Sequence, residues 1–283
     1  MNTSTLSVYS LRVEDGTVVT DSGGLFDVIA YSKFKYGDGA VSDVYGKQLA
    51  DVFIAAQRNM LQDGVEIAVT SASYRYVPKG ATSIAFFFAK YLNEYLDLIG
   101  KPRAALIKIS NDDSFTGDYA SFSGEKREEL MKKSALAVEG DVLGKKLIII
   151  DDIRITGAGE RRLVNFFADK GPSEIVLLYV AVADPAYAAT NPEIESIINH
   201  SWMDSLEKLG SIMRSEHYMI NARVCKYLLS YPDQITLEAF LNELPRGLVA
   251  ELYDNVTNDN HATIPEYKES IALIKKVLDS RSS

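Results

Sequence analysis

Apolar positions along the chain fall into three regimes. Residues 1–24 alternate weakly and carry turn residues at Glu14-Asp15-Gly16 and Ser22-Gly23-Gly24, which predicts a β-hairpin. Tyr31–Gly39 (YSKFKYGDG) sets Lys33 and Lys35 between aromatics and reads as a loop. The stretch after it places Val41, Val44, Tyr45, Leu49, Val52, Phe53, Ala56 and Met60 near one face of a helix.

From residue 65 short apolar runs alternate with helical periodicity. The runs Val65–Val69, Ala104–Ile109, Leu147–Ile150 and Ile175–Ala183 lack polar alternation, as strands buried on both faces of a parallel sheet do. Between them Ile84, Phe87, Phe88, Tyr91, Leu92 and Tyr95 recur at helical spacing. Leu163, Phe166 and Phe167 mark a further helix that stops at Lys170-Gly171-Pro172. The expected fold is therefore α/β, a mostly parallel twisted sheet flanked by helices, with the hairpin at its N-terminus. Beyond Asp184-Pro185 the pattern turns helical. Ile194, Ile197, Ile198, Trp202, Leu206 and Leu209 mark one helix, and Tyr267, Ile271, Ile274 and Leu278 mark the last, with Pro265 near its start. The expected organisation is an α/β domain at 1–185, with its core at 65–185, and a helical cap or lobe at 186–283.

Composition narrows the classes. A chain of 283 residues that is 47% hydrophobic can bury a full core, which excludes a disordered or fibrous protein. Thirty Lys and Arg against 39 Asp and Glu leave a net charge of -9, which disfavours a nucleic-acid partner. The single Cys225 cannot form an internal disulfide, in keeping with a reducing compartment. Met1–Ser10 has no basic start or apolar signal core, and the run Ile175–Ala183 falls short of the ~18 residues of a membrane span. A cytoplasmic protein without membrane contact is expected.

The chemistry is concentrated in Lys146–Arg162 (KLIIIDDIRITGAGERR). An apolar strand delivers Asp151 and Asp152 to the carboxyl edge of the sheet, where ligands of open α/β folds bind. The small-residue loop Thr156-Gly157-Ala158-Gly159 then opens a helix. Its backbone N–H groups, the helix N-terminus and the Thr156 hydroxyl suit an anion. Acceptor-only carboxylates beside that anion suit sugar hydroxyls or a divalent cation. Together these parts describe a site for a phosphorylated sugar. The plainer alternative is a strand-to-helix turn in which Asp152 caps backbone and the glycines make the bend. Two adjacent charges at the end of an apolar strand are costly without partners, which argues against it.

Four apolar residues, Asp-Asp, three residues and Thr-Gly-Ala before a helix resemble the phosphoribosyl-diphosphate (PRPP) signature of the type I phosphoribosyltransferases. The resemblance covers about residues 25–185. It implies that Asp151 and Asp152 hold the ribose hydroxyls, directly or through Mg²⁺, and that Arg154, Ile155, Thr156, Gly157, Ala158 and Gly159 cradle the 5-phosphate. It also implies a diphosphate loop at Thr70–Ala81 (TSASYRYVPKGA), with Arg75, Lys79 and the Gly80 amide as contacts; solvated loop charges are the alternative for Arg75 and Lys79. The family's mobile loop corresponds to Asn111–Gly124 and the Glu125-Lys126-Arg127 that follows. Lys126 or Arg127 would reach the leaving diphosphate there, or else be ordinary charges at a helix start. Members of the family often form homodimers. The set YSKFKYGDG, YVPKGA and DDIRITGAG is most similar to the divergent phosphoribosyltransferase-like proteins of bacterial stress and tellurium-resistance gene clusters.

Two departures stand out. Ile155 occupies the place where relatives often carry a hydroxyl residue or an Asp that serves purine salvage as a base, and Gly159 replaces a common Thr or Ser. Hypoxanthine or guanine salvage is thereby weakened as an assignment, and PRPP binding is left standing. The implied activity is transfer of phosphoribose to a nitrogenous acceptor with release of diphosphate. The rivals are a regulator that senses PRPP or a nucleotide without catalysis, and a diphosphokinase resembling PRPP synthetase, which needs two similar halves where only one is legible. His200, His217 and His261 lack metal-ligand spacing, and no Walker A, G-x-G-x-x-G or G-x-S-x-G motif occurs.

Overall fold

The computed structural model describes residues 2–14, 17–111, 136–155, 157–185, 188 and 194–281. Its elements run in the order β1 (Asn2–Glu14), β2 (Thr17–Thr20), α1 (Val28–Lys35), α2 (Gly39–Gln62), β3 (Ile67–Ser71), α3 (Gly80–Leu98), β4 (Ala105–Leu106), β5 (Lys108–Asn111), β6 (Leu136–Glu139), β7 (Lys146–Arg154), α4 (Ala158–Ala168) and β8 (Glu174–Ala183). Six further helices follow: α5 (Ile194–Asn199), α6 (Leu206–Met213), α7 (Ala222–Leu229), α8 (Gln234–Glu243), α9 (Arg246–Asn258) and α10 (Lys268–Ser280). Among the described residues no helix is long and apolar enough to cross a membrane.

The main sheet has the order β2-β1-β8-β7-β3-β4 and is parallel except for β2. The predicted hairpin exists, with Leu11 opposite Thr20, but its first strand does more. Asn2–Leu11 pairs in parallel with β8, so the N-terminus belongs to the same sheet as residues 67–183. The polar run Asn2–Thr5 fits that place, because β2 covers only Leu11–Glu14 and leaves the rest of β1 as an edge.

Both faces of the central strands are buried, as their unbroken apolar runs require. Ile148 and Ile150 of β7 pack with Val176 and Leu178 of β8 toward α1, α2 and α3. Leu147 and Ile149 face the other way, toward Phe167 of α4 and toward Ile109 and Val142. A third apolar cluster belongs to α6 through α10 and admits two residues from the first half of the chain, Tyr36 and Val77.

Three local expectations are corrected. The segment Tyr31–Gly39 is a helix end and a tight connection rather than a loop. Asp27 caps α1 by accepting from the Ala30 amide at 2.8 Å, and Asp38 caps α2 through the amides of Ala40 and Val41. Tyr31 and Phe34, three residues apart, fall on the buried face of α1, and this short stripe outweighs the turn residues that follow. The strand expected at Ala104–Ile109 is two pieces: β4 adds two residues to the sheet edge, and β5 leaves to pair with β6 in a separate hairpin. Ile194–Leu209 is two helices, because Ser205 starts α6 by accepting from the Lys208 amide.

Candidate functional site

β7 is a nine-residue central strand that outruns β3, and its last paired residue opposite β3 is Ile150. Asp151 to Arg154 therefore run beyond β3 at the carboxyl edge, flanked on the other side by β8, where Asp151 lies opposite Tyr179. Successive side chains of a strand point to opposite faces, so adjacent carboxylates cannot share one environment. The two aspartates differ accordingly.

Asp152 is buried and held through both of its oxygens. Its Oδ1 accepts from the Ile153 amide at 3.0 Å, and its Oδ2 accepts from the Tyr31 hydroxyl at 2.9 Å and from the Lys35 ammonium. Lys35 lies one helical turn beyond Tyr31 on α1, so one helix face presents both donors. Glu195, in the first turn of α5, approaches the same ammonium at 3.8 Å. Burial pushes the Asp152 carboxyl upward, but the charge and hydrogen bond of Lys35, with Tyr31, hold it below the usual carboxylate range. The Tyr31 phenol is driven well above its ordinary value, first by burial and then by the charge of Asp152.

Asp151 is half-buried. Its Oδ1 accepts from the Asp152 amide at 3.0 Å. Burial, and next the negative charge of Asp152, raise its carboxyl well above the usual range despite the opposing effect of Lys35.

The turn after β7 is built around Gly157, which has φ of 67°, caps α4 and accepts the first helical bond from the Arg161 amide at 3.0 Å. A Cβ on Gly157 would lie 3.4 Å from Arg154 Nε and 3.4 Å from Arg161 Nη1, so two guanidinium groups converge over the helix start. Glu160, acidic beside an expected anion, has a structural use: it pairs with Arg154 at 2.8 Å and accepts from the Tyr179 hydroxyl at 3.1 Å. Ile155 packs against the main core, which explains an apolar residue at this place in the loop. Open space surrounds Gly159, where a Cβ would meet nothing within 4 Å. Ala158 begins α4; Thr156 lies outside the described residues, as do Lys126 and Arg127.

The β3–α3 loop stands beside this edge, because Ser71 is the β3 partner of Ile150. Arg75 and Lys79 are exposed, and Lys79 and Gly80 form the start of α3. The loop is fastened at several points. Asn111 donates to Ser73 Oγ at 3.0 Å, the Val77 amide to Asp259 at 3.0 Å, the Ala222 amide to the Pro78 carbonyl at 2.9 Å, and Tyr76 to Asp254 at 2.8 Å. Three of these partners come from the C-terminal helical region.

Sequence reasoning gave Lys35, Glu195 and Tyr179 no place in the candidate site, and did not pair Tyr31 with Asp152. The Tyr31-to-Lys35 spacing was the available signal, since i and i+4 share a face once the segment is helical. The aromatics of the 31–36 segment are core: Tyr31, Phe34 and Tyr36 are 0%, 0% and 1% exposed. A divalent cation held directly by the acidic pair does not fit this arrangement. Asp152 already uses three of its roughly four lone-pair positions, and among the described residues no group of three or more His, Cys, Asp or Glu converges to hold a metal.

No curated protein matches the chain. Solved structures similar to it include a hypoxanthine-guanine phosphoribosyltransferase from Bacillus anthracis, at 21% identity and a TM-score of 0.34, covering 53% of this chain and 73% of that one. A hypoxanthine phosphoribosyltransferase from Staphylococcus aureus aligns at 13% identity and a TM-score of 0.33 over 51% of this chain and 66% of that one. One from Trypanosoma cruzi aligns at 13% and 0.32 over 52% and 75%. The family model described as PRTase ComF-like spans the sheet, the acidic pair, the glycine turn and most of the C-terminal helices, matching residues 5–274, and the chain belongs to that family.

Proposed function

We propose that the chain binds PRPP at the carboxyl edge of β7 and transfers its phosphoribosyl group to a nitrogenous acceptor. In this reaction the bond from C1 to the diphosphate oxygen breaks, a bond from C1 to the acceptor nitrogen forms, and the acceptor gives up a proton. The observation that carries the reading is the run of Asp151, Arg154 and the left-handed Gly157 into α4, with Arg161 leaning over the same helix start. The helix N-terminus and the two guanidinium groups suit the 5-phosphate. Asp151 is the carboxylate with capacity left for a pentose hydroxyl, and once ionised it favours the cation that develops on the ring. Arg75, Lys79 and the Gly80 amide attract the leaving diphosphate, joined by Lys126 or Arg127 from the segment after β5. The Mg²⁺ that the resemblance implies has no place between Asp151 and Asp152, so no step is assigned to it.

Calorimetric titration with PRPP, and with ribose 5-phosphate for comparison, tests the pocket, and diphosphate release with a panel of purines, pyrimidines and simple amines tests the transfer. Binding of PRPP with turnover of one acceptor is the expected result. A specific observation supports a second reading, a protein that binds PRPP without transfer: the aromatics of the 25–40 segment are buried and offer no face to a flat base. Tight PRPP binding with no diphosphate release from any acceptor would favour that reading, and absence of binding to either sugar phosphate would refute both.

A further inference from the structure

In the acidic pair, one carboxylate already carries a cation supplied by the chain itself. The Lys35 side chain is 11% exposed and that of Asp152 8%, so the pair is shielded from solvent and from salt. Its geometry is fixed from four sides. Tyr31 donates to the same Asp152 oxygen, the Ile153 amide holds the other oxygen, Glu195 faces the ammonium, and Asn221 donates to the Lys35 carbonyl at 3.2 Å. Asn221 in turn caps α7 through the amides of Arg223 and Val224. With its side chain held between Asp152 and Glu195 and its backbone held by Asn221, Lys35 is not a loose surface lysine that a ligand would brush aside.

We propose that Lys35 takes the place of a divalent cation at the acidic pair, so that this chain binds a phosphorylated pentose without metal and reads its hydroxyls through Asp151 alone. The ammonium supplies the positive charge that keeps two neighbouring carboxylates compatible, and it occupies the oxygen a metal would need. The division of labour follows: Asp152 belongs to the framework and Asp151 to the ligand.

The test has two arms. The first is independent of any sugar: Mn²⁺ is titrated into the protein and free ion is followed by electron paramagnetic resonance. Wild type is expected to show no tight Mn²⁺ site. Lys35→Met is expected to create one, at least about tenfold tighter than any wild-type binding, and Lys35→Met with Asp152→Asn is expected to lose it. The second arm rests on the proposed function: ribose 5-phosphate, which lacks the metal-chelating diphosphate, is titrated in EDTA and in Mg²⁺, with equal wild-type affinity expected. A tight wild-type Mn²⁺ site that Asp152→Asn abolishes would overturn the proposal. So would ribose 5-phosphate binding that vanishes in EDTA and returns with Mg²⁺. If Lys35→Met fails to fold, the two wild-type titrations decide. If ribose 5-phosphate and PRPP bind under no condition, the pocket assignment falls, while the Mn²⁺ arm still judges the role of Lys35.

Discussion

Neutralising the two adjacent aspartates should move stability in opposite directions. Asp152→Asn leaves the Lys35 ammonium buried with Glu195 3.8 Å away as the nearest carboxylate. Removing one partner of a buried ion pair costs about 3–5 kcal/mol, which for a chain of this size lowers Tm by about 6–10 °C at roughly 2 °C per kcal/mol. Asp151→Asn keeps the acceptor for the Asp152 amide and removes a carboxylate that burial and its neighbour disfavour. Relief of such a disfavoured carboxylate is worth about 0.5–2 kcal/mol, a rise of about 1–4 °C. The pH dependence separates the two as well. The Asp152 carboxyl lies below its ordinary value, so its stabilisation is complete above about pH 4 and is lost as pH falls through the folded value. The Asp151 carboxyl lies above its ordinary value, so stability declines as pH rises from about 4 through its folded value, and Asp151→Asn should lack that decline. Circular-dichroism melts of wild type and both variants across acidic and neutral pH measure all of this. The two variants shifting Tm in the same direction at pH 7 would refute the assignment of different environments.

Three further outcomes follow from particular contacts. Gly157→Ala places a Cβ at φ of 67° and against two arginines, and should cost about 1–2 kcal/mol in urea unfolding while weakening ribose 5-phosphate binding; a wild-type profile in both would remove the anion-site geometry. Gly39→Ala sets a Cβ 1.8 Å from the His217 carbonyl, a backbone clash that should destabilise by about 3 kcal/mol and open the segment around His217 to limited proteolysis; unchanged resistance would show that this contact is not close in solution. Burial holds the His261 imidazole below its ordinary value, so the unfolded chain takes up the proton first and stability falls as pH drops below about 6.5. His261→Phe should flatten that limb of the stability curve, and melts showing the same slope in both proteins would contradict it.

The parts of this molecule that could be read from the sequence are those in which one segment decides its own state. The unbroken apolar runs of β7 and β8 admit little except central parallel strands, and the acidic pair followed by small residues points to the sheet edge before any contact is known. The failures lie where a distant segment decides. Asn2–Leu11 belongs to the hairpin that its pattern predicts, but its parallel pairing with β8 is not legible in the segment itself. Tyr31–Lys35 looks like a loop because its turn residues are local and its reason to be helical, a buried face against the core and Asp152, is 117 to 121 residues away. Ile155 reads as a departure from a binding motif, and packing against the core accounts for it. The mobile-loop and Thr156 assignments lie outside the described residues and stand as expectations.

The C-terminal helices acquire a role from the same contacts. They touch the candidate site at two margins. On one side Asn221 holds the Lys35 carbonyl, Asn199 accepts from Ser32, and Trp202 stacks beneath the Lys33 ammonium at 4.8 Å. On the other, Asp259, Asp254 and the Ala222 amide pin Val77, Tyr76 and Pro78 of the β3–α3 loop. Tyr36 and Val77, one from each margin, are inserted into the helical core itself. A sheet edge can present Asp151 and the α4 start without help, because strand pairing alone fixes β7. Strand pairing does not by itself fix the β3–α3 loop or the two-turn helix α1. The helical region adds further neighbours, and its hydrogen bonds reach α1 at Ser32 and at the carbonyl of Lys35, the lysine that occupies Asp152.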